Sequence, residues 1–123
     1  MRLLVCGARD YADREYLFSV LDAYEPVADV VIEGEAKGAD TLAREWAEAN
    51  AVPIDPYPAD WERYYRAAGP IRNQRMLDEG KPDLVLAFHD DIERSRGTKD
   101  MVARARKAGV PVRVLKPWAR SGR

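Results

Sequence analysis

The sequence has one cysteine and one histidine among its 123 residues. A lone cysteine, Cys6, excludes an intramolecular disulfide and points to a reducing compartment. With His89 as the one imidazole, the Cys/His set of a structural zinc site cannot be assembled. No apolar run approaches the roughly 20 residues that span a bilayer. Met1-Arg2 leads into a short apolar run, Leu3 to Cys6, too brief for a secretory leader. A surplus of positive charge is also missing. Twenty Lys and Arg face 21 Asp and Glu, for a net charge of −1, which counts against a protein that coats DNA or RNA. Two nucleotide signatures are absent. Gly7 is followed by Ala8-Arg9-Asp10 where G-x-G-x-x-G would need a second glycine, and Gly34 to Asp40 does not spell a P-loop. These absences leave a soluble, cytoplasmic domain with no resident cofactor, no metal and no membrane partner.

What is present is a packed α/β pattern. Hydrophobic residues make up 46% and charged residues 33%, in a chain too short for two cores. Leu3 to Cys6 reads as a first strand, closed by Gly7. Residues 13–24 place Leu17, Val20, Leu21 and Tyr24 on one helical face, with Asp13 as N-cap. Val30 to Ile32 is a second strand. A helix over 40–50 carries a stripe through Leu42, Ala43, Trp46 and Ala47, and Asp40 is placed to cap it. Val52 to Tyr57 contains Pro53 and Pro56, so this strand belongs at an edge. Residues 58–69 read as a long loop. Pro70 fits a first helical position and Gly80 a C′ position, giving a helix over 70–79. Leu84 to Phe88 is the fourth strand, residues 89–97 a polar loop, and 98–108 a helix. Val110, Val112 and Val114 alternate in a second edge strand. Trp118 is expected to pack the chain end, and 119–123 to form a frayed tail after a single domain over 1–118.

Strict β/α alternation predicts a parallel sheet with helices on both faces, a Rossmann-like three-layer sandwich. The continuous apolar runs suit inner strands and the proline-bearing or alternating runs suit edges. The predicted order is 3-2-1-4-5. Ligands bind such sheets at the carboxyl ends of the strands flanking the reversal, here strands 1 and 4.

That geometry selects three loops. Gly34 to Asp40 puts two glycines before a helix, either to let a phosphate reach the helix amides or simply to make a tight turn. Ser95-Arg96-Gly97-Thr98 is either a phosphate cradle or a helix cap. Gly7-Ala8-Arg9-Asp10 follows strand 1. Arg72 and Arg75 lie early in their helix, where cations oppose the macrodipole, and share a face with Met76. Arg72 either pairs with a phosphate or forms a surface ion pair with Asp78 or Glu79. Trp61, Tyr64 and Tyr65 either stack on a base or plug the core. Asp90, Asp91 and Glu93 read as a solvated acidic loop rather than a Mg²⁺ site, Cys6 as an inert buried thiol, and His89 as a bystander at the cleft.

A series of segments carries a family resemblance: Gly7-Ala8-Arg9-Asp10, Glu33-Gly34-Glu35-Ala36-Lys37-Gly38-Ala39-Asp40, Ala59-Asp60-Trp61, Gly69-Pro70-Ile71-Arg72-Asn73-Gln74-Arg75, and Ser95-Arg96-Gly97-Thr98-Lys99-Asp100-Met101. In this order they resemble the YspA-type branch of the SLOG superfamily, found in bacteria and their phages. The resemblance implies a domain that binds a nucleotide or a nucleotide-derived, ADP-ribose-like molecule, as a sensor or sequestering module. It assigns the pocket to Gly7, Arg9, Gly34, Gly38, Asp40, Asp60, Trp61, Arg72, Asn73, Ser95, Gly97 and Thr98. Relatives include phosphoribohydrolases of the LOG type and the single-stranded-DNA binder DprA, and homodimers are common. The LOG signature P-G-G-x-G-T-x-x-E is kept only at Gly97-Thr98. Its glutamate position is Met101 here, and Asp100 stands one residue earlier, about 100° around a helix. A nucleotide N-glycoside hydrolase is therefore the alternative, with Asp100 as its acid.

Overall fold

A computed structural model describes residues 1–116, so the expectations for Trp118 and for 119–123 lie outside the described residues. The elements run β1 (Arg2–Gly7), α1 (Arg14–Asp22), β2 (Val30–Glu33), α2 (Ala39–Ala49), β3 (Ile54–Pro56), α3 (Trp61–Tyr64), α4 (Ala68–Asp78), β4 (Leu84–Phe88), α5 (Arg96–Lys107) and β5 (Val112–Leu115). Short 3₁₀ turns occupy Tyr65–Ala67 and Ile92–Arg94. All strand pairs are parallel, and the order is β3-β2-β1-β4-β5, as predicted. Leu3 pairs with Val31 on one side and Leu84 on the other, so β1 is central.

Alternation along the strands divides the core in two. Leu3, Val5, Val31, Leu86 and Phe88 face α1 and α2, where Leu17, Leu21, Ala43 and Trp46 close over them. Leu4, Cys6, Ile32, Val85 and Ala87 face α4 and α5, meeting Met76, Leu77, Met101 and Val102. Trp46 is fully buried, and its indole Nε1 donates to Asp22 Oδ1 at 2.9 Å, which satisfies its one polar atom.

Several boundaries differ from the sequence expectation, each for a local reason. Asp13 caps α1 as expected, accepting from the Tyr16 amide, but the helix ends at Asp22 and residues 23–27 continue as turns. Asp40 does not cap α2. Gly38 holds the N-cap position, while Asp40 Oδ2 reaches back to the amides of Gly34 and Ala36. Residues 58–69 are not one loop. Asp60 accepts from the Arg63 amide and starts α3, and the following 3₁₀ turn leads directly into α4. Helix α4 therefore begins at Ala68, two residues before Pro70, which still falls in the first turn where its missing N–H has no helical acceptor to serve. After α4 it is Lys81, not Gly80, that takes positive φ. Gly80 is needed for space instead, because a Cβ there would collide with the Met76 carbonyl. Helix α5 begins two residues earlier than expected, at Arg96, with Ser95 as its N-cap.

Candidate functional site

Strands β1 and β4 pair up to Gly7 opposite Phe88, and their chains then leave for α1 and α5. The Ala8 amide donates to the Phe88 carbonyl at 3.0 Å, so the two exits stay pinned together. A Cβ on Gly7 would collide with that same carbonyl, which explains the glycine. Above this junction opens a cleft of about 870 Å³. Its apolar floor includes Cys6, Met76 and Met101, and the lining also carries arginines from four separate segments.

Of the residues singled out from sequence, Gly7, Arg9, Asp40, Trp61 and Arg72 line this cleft. So do Asn73, Ser95, Gly97, Thr98 and Asp100. Gly34, Gly38 and Asp60 are not among its lining residues. Gly34 lies beneath the Arg72 guanidinium, where any side chain would overlap it. Gly38 has φ of 76° and packs on the Ala8 carbonyl. Asp60 is occupied in capping α3. Four amides of the loop after β2 are already engaged: those of Gly34 and Ala36 go to Asp40, that of Glu35 to Glu33, and that of Ala39 to Ala8. These glycines hold the loop against its neighbours.

Arg72 is positioned at both edges of its guanidinium. Nη1 donates to the Gly34 carbonyl at 2.5 Å and Nε to Asn73 Oδ1 at 3.0 Å. Burial pulls its pKa down, and the nearby Asp40 carboxylate opposes that shift. Asn73 is itself buried, and its Nδ2 donates to Asp100 Oδ2 at 2.9 Å and to the Gly97 carbonyl at 3.3 Å. Asp100 also accepts from Arg104 Nε at 2.8 Å. A single hydrogen-bonded chain thus runs from the β2 loop through α4 to α5. At the start of α5 the Ser95 hydroxyl takes the Thr98 amide at 3.1 Å. Among the described residues no hydrogen bond takes the Arg96 or Gly97 amides, which sit at the positive end of the helix.

Burial raises Asp40 to about 6 and pushes the Cys6 thiol far up, so Cys6 is no nucleophile under neutral conditions. Trp61 stands half exposed at the cleft rim with the Arg9 guanidinium 5.7 Å from its ring centroid. Trp61, Tyr64 and Tyr65 are all exposed, so none plugs the core. Arg75 turns away from the cleft that Arg72 and Met76 line. It pairs with Glu79 at 3.0 Å and lies 5.4 Å from the Tyr57 ring centroid. No group of three or more His, Cys, Asp or Glu suited to a metal ion occurs among the described residues. No helix among them is long and apolar enough to cross a membrane.

Sequence reading passed over Arg66, Arg94 and Arg96, which also line the cleft. A signal existed for the last two. They bracket Ser95 at the start of a helix, where cations oppose the macrodipole, the criterion that selected Arg72.

The comparisons agree with this architecture. The solved structure of DNA processing protein A (DprA) from Streptococcus pneumoniae superposes with a TM-score of 0.59 at 15% identity. The match covers 94% of this chain but only 59% of that one, so the likeness is one of fold. The Gene 61 protein of Mycobacterium phage D29 is 37% identical, over 90% of this chain and 93% of that protein. Residues 1–64 match the model of a family described as YspA, cpYpsA-related SLOG, and with the phage relative alongside it, the chain belongs to that family.

Proposed function

We propose that the cleft between β1 and β4 binds a nucleotide-derived, phosphate-bearing small molecule of the ADP-ribose type, and that the protein acts in the cytoplasm as a sensor or sequestering module. One observation carries this reading: a half-buried arginine, Arg72, is fixed on two sides within a cleft that also contains the start of α5. Fixed guanidinium donors and helix-start amides are the groups that bind phosphate without reorganising. The volume of about 870 Å³ lies in the range of small-molecule sites. Trp61 with Arg9 at the rim offers a flat face to a base. Calorimetry with nucleoside mono- and diphosphates and ADP-ribose tests the reading. Saturable binding is expected, weakened at least roughly tenfold in Arg72→Lys, which cannot span both fixed partners and a phosphate. No heat with any of these compounds removes the reading.

A second reading, hydrolysis of a nucleotide N-glycosidic bond, is favoured by the place of Asp100 on the cleft wall. Its carboxylate accepts from Asn73 and Arg104, which suits stabilising an oxocarbenium-like state better than donating a proton. Release of free base from nucleoside monophosphates, lost in Asp100→Asn, supports this reading. Intact substrate after prolonged incubation excludes it. Single-stranded DNA is a weaker partner for a chain with net charge −1. Self-association into a homodimer is tested by light scattering.

A further inference from the structure

We propose that His89 is a ligand-contacting residue of the cleft, a neutral imidazole whose Nε2–H donates to an uncharged oxygen of a ribose. The inference rests on the binding role proposed above and adds to it the group that recognises the sugar.

His89 directly follows β4, and its backbone amide donates to the Leu115 carbonyl at 3.0 Å, which ties it to the sheet. The side chain lines the cleft and is only 13% exposed. The amide of Asp91 donates to Nδ1 at 2.9 Å. A ring nitrogen that accepts from an N–H presents its lone pair there, so the proton of the neutral ring sits on Nε2. Among the described residues no hydrogen bond takes Nε2. Asp90 Oδ1 lies 3.3 Å from the same Nδ1 and pairs with it only if that nitrogen is protonated. The closer amide contact decides for the neutral ring.

The class of acceptor follows from the surroundings. Asp90 and Asp91 line the cleft beside His89, and Asp10 follows the neighbouring strand β1. Arg9, Arg94 and Arg96 line the cleft from the same loops, so charge alone does not choose; a sugar hydroxyl accepts from Nε2–H and still has a proton for a neighbouring carboxylate, which an ionised phosphate oxygen lacks. In many parallel α/β nucleotide sites an acid after the second strand takes the ribose. Here that acid, Glu33, is buried and engaged: Oε1 accepts from the Glu35 amide at 2.7 Å and Oε2 from Arg44 at 2.9 Å. Glu33 is not among the residues lining the cleft, so sugar recognition falls to another group.

Because the chain has a single histidine, untagged protein labelled with ¹⁵N in the imidazole gives one set of ring signals. Long-range ¹H–¹⁵N correlation near neutral pH is expected to show the Nε2–H tautomer in the free protein. Saturation with ADP-ribose should move the Nε2 resonance, and inorganic pyrophosphate should not. His89→Gln keeps a donor near the Nε2 position and is expected to bind ADP-ribose within about threefold of wild type. His89→Asn keeps an acceptor for the Asp91 amide but lacks that donor, and should lose roughly tenfold. A ring protonated on Nδ1 in the free protein overturns the proposal. Unchanged ADP-ribose affinity in His89→Asn, with an unmoved Nε2 resonance in wild type, also overturns it and leaves the binding role of the cleft standing. If pyrophosphate moves Nε2 as ADP-ribose does, His89 is a phosphate ligand and the sugar assignment falls. If ADP-ribose gives no binding to wild type by calorimetry, both the sugar contact and the ADP-ribose-type reading fall.

Discussion

The guanidinium of Arg72 rests on the backbone of Gly34, a residue 38 positions earlier, with Nη1 donating to its carbonyl at 2.5 Å. A Cβ at position 34 would occupy the space of that guanidinium. What must yield is the end of a long side chain, not backbone, so the fold survives while the arginine moves. Gly34→Ala is expected to cost about 1 kcal/mol of stability, the scale of one lost hydrogen bond. It should cost ADP-ribose affinity far more, at least roughly tenfold, because the fixed cation is displaced. Urea unfolding and calorimetry on the same preparation check the split. A large stability loss with intact affinity would show that Arg72 is only structural.

Gly38 and Gly97 should respond in opposite ways to the same substitution. Gly38 has φ of 76°, and a Cβ there would meet the Ala8 carbonyl, which is backbone and cannot swing aside. Gly38→Ala is expected to destabilise by about 2 kcal/mol or more. Gly97 lies in the first turn of α5 with nothing within 4 Å of a built Cβ. Gly97→Ala should be neutral or stabilising by about 0.5–1 kcal/mol, through helix propensity and a less flexible unfolded chain. Thermal or urea melts of the two variants decide the matter, and equal losses would contradict the packing described for the β2 loop.

Buried Asp40 should contribute a loss of stability as pH rises from mild acid to neutrality, against the opposite contribution of the ion-paired Asp29 and Glu79. Its carboxyl is raised from 3.8 to about 6, chiefly by burial. Between those values the folded state holds a proton that the unfolded state has released. Stability therefore falls as pH rises through that window, by on the order of 3 kcal/mol from this group. Burial raises Glu33 as well, which acts in the same direction. Asp40→Asn keeps an oxygen for the Gly34 and Ala36 amides and removes the charge. The expected result is a flatter profile of urea midpoint between about pH 4 and pH 7, and equal or greater stability at pH 7. A wild-type midpoint that climbs over this window, and falls back in the variant, would contradict the assignment.

The strand order was legible because burial on both faces leaves a signature. Val30 to Ile32 and Leu84 to Phe88 are unbroken apolar runs, whereas Pro53 and Pro56 flank or end a strand that only an edge tolerates. Helix α3 was not legible, since it buries no side chain and so has no apolar period, only the cap at Asp60. The candidate site was legible where topology names a loop, as at Gly7-Ala8-Arg9 and Ser95 to Thr98. The loop at Gly34 left two readings open, because the glycine serves a distant neighbour and nothing near it in sequence announces Arg72. Arg66 is exposed and carries no periodic pattern, whereas Arg94 and Arg96, also exposed, offered only the macrodipole signal at the start of α5. The macrodipole criterion also selected Arg75, which an ion pair one turn along the helix, to Glu79, reconciles with its place.

Asn73 joins the parts of the site that sequence places far apart. It is 4% exposed, accepts from Arg72, and donates to Gly97 and Asp100. Asn73→Ala would leave Arg72 Nε without its partner and strip the Gly97 carbonyl of its side-chain donor, while Asp100 keeps Arg104. A loss of about 2–3 kcal/mol is expected in urea unfolding, with an unchanged dependence on denaturant. Arg72 would be freed to swing, and ADP-ribose affinity should drop roughly tenfold or more. Arg104→Ala is the matched control. It removes the other partner of Asp100 from outside the cleft and should cost about 1 kcal/mol of stability while leaving affinity within roughly threefold of wild type. If the two variants weaken binding equally, the hydrogen bond from Arg72 to Asn73 does not position Arg72 for binding.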